Sequence, residues 1–185
     1  LGELAVEPFV CLEGDHVQLV RGEKAAGERA LVSNYAPLIE EIEVGDRVML
    51  ADGTVGMTVV EKSADSATLC VFSPGVVSSR QGINLPGAKL SIQSPTEEDL
   101  ADARVAAELD IDFVGLSFVR TADEIQRLRN QLQTAGSRAM IIAKIEKPEA
   151  LTHLEAIVEA ADGIMVARGD LGVEIDVAEM AVVQK

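Results

Sequence analysis

Two patterns of hydrophobic and polar positions divide the chain. From Leu1 to about Arg80, short runs rich in β-branched residues alternate with turn residues: Glu13-Gly14-Asp15, Arg21-Gly22-Glu23, Gly45-Asp46, Asp52-Gly53 and Ser73-Pro74-Gly75. Runs of this kind fit a pleated surface, so His16 to Val20, Arg47 to Leu50, Val55 to Val60 and Ala67 to Phe72 are predicted strands. The first half therefore reads as all-β. Asp52-Gly53 predicts a hairpin between Arg47 to Ala51 and Thr54 to Val60, because both central residues of that turn need positive φ.

The pattern changes at Gly82-Ile83-Asn84-Leu85-Pro86-Gly87, where Pro and Gly interrupt helix and ladder alike; a domain boundary or hinge is expected there. Residues 1–84 then form one domain and residues 85–185 the next. In the second, predicted helices (Thr96 to Leu109, Thr121 to Leu132, Pro148 to Ala160) alternate with predicted strands (Asp112 to Phe118, Ala139 to Ile145, Gly163 to Ala167). Thr96, Thr121 and Pro148 mark the helix starts, each with acidic residues just inside. The strands are apolar nearly throughout, as in a parallel sheet covered by helices. Such βα repetition fits either a doubly wound sheet or part of an eight-stranded barrel. Ala181 to Lys185 reads as an unfinished helix, so a barrel would need strands outside this chain, and a fragment is expected.

Composition narrows the function classes. The chain has 185 residues, 48% of them hydrophobic, which suffices for one sizeable core or two modest ones. Its formal charge of −15 and its few aromatics, four Phe and one Tyr, disfavour nucleic acid and anionic membranes as partners. No apolar run approaches the roughly 18 residues that span a bilayer, and no signal pattern opens the sequence; a soluble cytoplasmic protein is the expectation. Cys11 and Cys70 lie far apart and read as reduced, buried thiols. His16 and His153 lack nearby partners, and Met140, Met165 and Met180 read as packing residues.

In parallel α/β folds, ligands gather where strands end and βα loops begin. That rule sends Asp112 and Asp162, which precede strands, to turn or capping roles, and puts Ser117, Arg120, Lys144, Glu146, Arg168 and Asp170 on the ligand side. Lys144 and Glu146 stand two apart on an extended segment, so both face the same way while Ile145 faces the helices. Spacing alone leaves open an internal salt bridge, two solvated loop charges or a charged site. After the next strand, Arg168-Gly169-Asp170 offers close backbone approach at Gly169, a turn with free amides for an anion, and a second carboxylate. Glu146 and Asp170 on neighbouring strand ends are the kind of pair that holds Mg²⁺ together with substrate oxygens, with Lys144 beside it for a phosphoryl group or enolate. Arg168 reads first as an ion-pair residue, with its partner on a neighbouring element or another subunit.

Four ordered segments resemble the pyruvate kinase family: GINLPG at Gly82 to Gly87, DFVGLSFVR at Asp112 to Arg120, AMIIAKIEKPEAL at Ala139 to Leu151, and GIMVARGDLGVEI at Gly163 to Ile175. The resemblance implies a partial (β/α)₈ TIM barrel with an inserted small all-β lid domain, residues 1–84 being the lid. It implies that Lys144 stabilises the transferring phosphoryl group, that Glu146 and Asp170 bind Mg²⁺, and that the backbone of Gly169 and Asp170 holds the phosphoenolpyruvate carboxylate. The implied reaction moves a phosphoryl group from phosphoenolpyruvate to ADP, giving pyruvate and ATP in glycolysis. An implied K⁺ has its ligands outside this chain, as do a phosphate-binding arginine, a substrate-contacting threonine and an effector domain; the parent is expected to be a homotetramer. Where the family usually has a nucleotide-binding lysine, this chain has Arg80-Gln81, so Arg80 is the candidate for that contact. The isolated chain is expected to have no turnover.

Two other readings stay open. A Mg²⁺-dependent aldolase or lyase making a pyruvate enolate on a related barrel needs no β-rich lid. A non-catalytic module retaining a phosphocarboxylate pocket, or serving only in assembly, is the other.

Overall fold

The computed structural model describes the chain except Ala26, Lys89 and Asp176, together with the side chain of Val177. It forms two compact units, Leu1–Ser91 and Ile92–Lys185, each with its own apolar cluster.

The first unit contains β1 (Phe9–Cys11), β2 (His16–Arg21), β3 (Ala30–Ser33), a single-turn α1 (Leu38–Glu41), β4 (Arg47–Leu50), β5 (Val55–Lys62), β6 (Ser66–Ser73), β7 (Gly75–Val77) and β8 (Ile83–Asn84). Six strands make one sheet in the order β3-β2-β6-β5-β4-β8, and β1 pairs with β7. The two-residue alternation buries one face of the large sheet: Val17 and Leu19 on β2, Val48 and Leu50 on β4, Val55, Met57 and Val59 on β5, and Ala67, Leu69 and Val71 on β6 are all at most 1% exposed. Leu38, Ile39 and Ile42 at the helical turn complete that core.

All four predicted strands are present, and three differences have local causes. The β4–β5 connection is a four-residue loop instead of a two-residue turn: Ala51, Asp52 and Gly53 all have positive φ, and the Thr54 hydroxyl donates to Ala51 O at 2.7 Å. Strands β1, β3 and β7 and the α1 turn were not predicted, because their runs are too short to show a period, and α1 makes the unit β-rich instead of all-β. The Gly82–Gly87 segment does carry a ladder: Ile83 and Asn84 pair with Leu50 and Met49, and Leu85 is buried in the first core. Ser91 is held to α1 by its amide, which donates to Glu41 Oε2 at 3.2 Å, and by its hydroxyl on Glu41 Oε1. The Tyr35 hydroxyl also donates to Glu41, at 2.8 Å, and these bonds hold the Glu41 carboxyl below the usual carboxylate range.

The second unit contains α2 (Glu97–Glu108), β9 (Phe113–Leu116), α3 (Ala122–Thr134), β10 (Met140–Ile145), α4 (Pro148–Thr152), α5 (Leu154–Ala160), β11 (Gly163–Val166), α6 (Arg168–Glu174) and α7 (Val177–Val183). Its three strands are parallel, in the order β11-β10-β9. Ile141, Ala143 and Ile145 on the central strand are buried with Ile125, Leu128 and Leu132 of α3 and Ile157 of α5. Thr96 caps α2 in a reciprocal box, accepting from the Asp99 amide at 3.1 Å while Asp99 accepts from the Thr96 amide at 2.8 Å.

The predicted helix Pro148 to Ala160 is two helices. At His153 the backbone (φ −115°, ψ 16°) leaves the helical range and its amide bonds Ala150 O, while Ala150 and Ile157 on either side of the break are both fully buried. Asp162 takes its expected capping place at the start of β11: it accepts from the Ile141 amide at 2.7 Å and from Arg129 at 3.0 Å. The Ile141 amide first, and Arg129 after it, hold the Asp162 carboxyl below the usual carboxylate range. Among the described residues no helix is long and apolar enough to cross a membrane.

Candidate functional site

The candidate residues of the second unit lie at or just after the ends of β9, β10 and β11. Lys144 is opposite Met165 and Ile145 opposite Val166, so Glu146 and the first turn of α6 leave adjacent parallel strands at the same end. The two-residue spacing of Lys144 and Glu146 brings their head groups together: Lys144 Nζ lies 2.6 Å from Glu146 Oε1. Among the described residues Glu146 is one of two buried polar residues, at 1% exposure, whereas the Lys144 side chain is 29% exposed. The internal ion pair that spacing left open is thus present.

Two further groups complete the cluster. Lys144 Nζ donates to Ser117 Oγ at 3.0 Å, and the Phe118 amide donates to Glu146 Oε2 at 2.7 Å. Phe118 has φ +54°, a left-handed conformation rare for a bulky residue. This is why β9 ends at Leu116 and not at Phe118 as predicted: the chain turns out of the ladder and aims an amide at the carboxylate. Ser94 supports the turn, its hydroxyl donating to Ser117 O at 3.1 Å. Gly115, beside Ser117, has the Lys144 side chain over it; a Cβ there would lie 3.7 Å from Lys144 Cδ. Ser117 stood among the strand-end candidates, but the Phe118 amide was missed, because no side-chain pattern announces a backbone donor.

Arg168-Gly169-Asp170 is helical: the turn expected here is the first turn of α6. The first amides of a helix have no partner inside it. Among the described residues, Asp170 is half-buried with no side-chain hydrogen bond or ion pair, and Arg168 is exposed with no ion pair inside the chain. Arg120 is held by Glu124, its Nε on Oε1 at 3.0 Å and its amide on Oε2 at 2.6 Å, and it also donates to Ile92 O at 2.8 Å. In the first unit, Arg80 has φ +60°, a 79% exposed side chain and a 3.2 Å ion pair with Glu3. Gln81 beside it closes a turn by accepting from the Ser78 amide at 3.0 Å.

The donor set suits Mg²⁺. Each Glu146 oxygen has one hydrogen-bond partner, and a carboxylate has about four acceptor positions, so capacity remains. Asp170, on the turn after the neighbouring strand, would be a second hard oxygen donor of the type Mg²⁺ takes, since that ion characteristically binds one or two carboxylates and completes its shell from substrate and water. Among the described residues no group of three or more His, Cys, Asp or Glu is arranged to hold a metal.

Comparison with known proteins gives a consistent family. The family model described as "Pyruvate kinase, barrel domain" matches residues 7–185. The chain is 39% identical over 185 residues to a pyruvate kinase of Mycobacterium intracellulare, covering all of this chain and 39% of that protein. It is 36% identical over 185 residues to a pyruvate kinase of Corynebacterium glutamicum, with the same coverage, and 35% identical over 184 residues to one of Thermotoga maritima, covering 40% of that protein. The chain thus spans about two fifths of the length of these relatives. With a family match across nearly its whole length, the chain belongs to the pyruvate kinase family.

Proposed function

We propose that this chain contributes the central catalytic segment of a pyruvate kinase, which transfers a phosphoryl group from phosphoenolpyruvate to ADP, giving pyruvate and ATP in glycolysis. The carrying observation is the buried Glu146 carboxylate, held between Lys144 and the Phe118 amide just past the end of β10, the strand next to the one that leads into Asp170's turn. In this reading Lys144 sets its ammonium against the transferring phosphoryl group, where negative charge develops on transfer. Ser117 keeps that ammonium forward. Glu146 and Asp170 hold Mg²⁺, which when bound offsets charge on the phosphoryl and enolate oxygens. The backbone of Gly169 and Asp170 holds the substrate carboxylate. Arg80 is the proposed nucleotide contact, for which it would exchange its exposed pairing with Glu3.

The β-rich first unit would serve as an inserted lid on a (β/α)₈ barrel, excluding water so that the donor is not hydrolysed. K⁺ would be held by residues outside this chain, and the parent would be a cytoplasmic homotetramer. The 185-residue chain by itself would have no turnover, which a coupled pyruvate assay checks. The β-rich unit favours this reading over an aldolase or lyase, which needs no lid.

Calorimetry with phosphoenolpyruvate, with and without Mg²⁺, tests the site in the full-length protein. Binding should require the metal and be lost in Glu146→Gln. Equal binding without metal, or in that variant, rejects the assignment.

A further inference from the structure

Next to the proposed metal site lies a second pair of charges that no part of the reaction uses. Lys147 directly follows Glu146, and its Nζ lies 2.5 Å from Oε1 of Glu174, the last residue of α6. The Glu174 side chain is only 4% exposed and that of Lys147 23%, so solvent screens the pair little. Lys147 is extended (φ −121°, ψ 142°), so Glu146 and Lys147 project to opposite sides: the carboxylate back to Lys144 and Phe118, the ammonium across to α6.

This arrangement ties α6 to β10 at both ends. At the start, the Ala167 amide donates to Ile145 O at 3.2 Å, continuing the strand pairing into the helix. Its middle is pinned by Leu171, fully buried in the core. At the far end, about 10 Å along a helix of this length, Lys147 holds Glu174. Asp170 lies between these attachments and has no side-chain bond of its own among the described residues, so its carboxylate is placed by the helix that carries it. A little-exposed ion pair is weak evidence for stability and better evidence for a specified arrangement.

We infer that Lys147 and Glu174 are a positioning pair for the metal site: by fixing the far end of α6 to the residue after Glu146, they set the separation of the Glu146 and Asp170 carboxylates. The role presupposes the Mg²⁺ and phosphoenolpyruvate site proposed above. It assigns neither residue any contact with substrate.

The test uses Mn²⁺ as a spectroscopic probe in the full-length protein, with its affinity read by electron paramagnetic resonance in the presence of phosphoenolpyruvate, alongside thermal unfolding. Wild type must bind Mn²⁺ and Glu146→Gln must not; failure of that control rejects the site itself and not the pair. Lys147→Met and Glu174→Gln should each weaken Mn²⁺ by about tenfold or more, the range typical of groups that orient metal ligands. The double variant leaves no unpaired buried charge, so it should unfold near the wild-type temperature, bind Mn²⁺ no worse than the singles and show an altered signal. Lys147→Arg should recover most of the affinity. A double variant with wild-type affinity and spectrum overturns the inference, as does a loss that follows only the fraction of protein unfolded.

Discussion

The Phe118 amide points at Glu146 from a backbone conformation that Phe rarely adopts. At φ +54° its N–H donates to Oε2 at 2.7 Å, and the carboxylate it meets is 1% exposed. A buried carboxylate needs donors on both oxygens; here Lys144 supplies one and a twisted main chain the other. Left-handed geometry at a non-glycine residue costs about 1–2 kcal/mol, and such costs persist where the surrounding structure holds them in place.

That strain predicts an inverted glycine effect at position 118. At an ordinary site Gly is less stable than Ala, because it orders a more flexible chain. Here the alanine Cβ would keep the strain while glycine relieves it, and both remove the same half-exposed ring. Phe118→Gly should therefore be more stable than Phe118→Ala by about 1 kcal/mol, measured by urea unfolding. The ordinary order, Ala above Gly, would show that position 118 carries no left-handed strain.

The same residue shows where sequence reading stops. Elements with a sustained period were legible: Arg47–Leu50 is a strand with its predicted limits, and the helix following Thr96 starts at its predicted cap. The Lys144 and Glu146 head groups meet because residues two apart on a strand share a face. Features that depend on one backbone angle or on a distant partner were not legible. The break at His153, the turn at Phe118 and the helical first turn at Arg168 are of that kind, as is the partnership of Lys147 with Glu174, 27 positions away.

Asp162 offers a pH test with a definite sign. Its carboxyl is held below the usual range by the Ile141 amide and by Arg129, so its folded pKa is lower than the unfolded value of about 3.9. Stability from such a group is fully present above the unfolded value and is lost as pH falls through the folded one. Asp162→Asn should cost about 1 kcal/mol at pH 7, discounted because the side chain is a third exposed. The gap to wild type should close below about pH 3 in urea unfolding. A gap constant from pH 7 to pH 2.5 would mean that the charge contributes nothing.

Gly75 reads as a turn residue in sequence but begins β7, and its lack of a side chain is a packing requirement. A Cβ there would sit 2.6 Å from Val55 Cγ2, and Val55 is 1% exposed with a β-branched side chain that turns poorly. Gly75→Ala should destabilise by about 1–3 kcal/mol, the usual range for overpacking. In a Val55→Ala background the same change should cost little, since neighbours that clash are not additive. Equal costs in both backgrounds would place the clash elsewhere.

Lys144 and Glu146 are paired but unequally buried, so deleting either partner should not cost the same. Lys144→Met leaves the Glu146 carboxylate, 1% exposed, with the Phe118 amide alone and no counter-charge. Removing one partner of a buried pair costs about 3–5 kcal/mol, and partial exposure of Lys144 lowers the expectation here to about 2 kcal/mol. Glu146→Gln leaves an ammonium that retains Ser117 and, at 29% exposure, reaches water, while the amide oxygen still accepts from Phe118. Its cost should stay below about 1 kcal/mol. Chemical unfolding of the two variants should therefore rank Lys144→Met as the less stable. The reverse ranking would show that the carboxylate finds other donors when the ammonium is gone, and that the burial of Glu146 does not depend on Lys144.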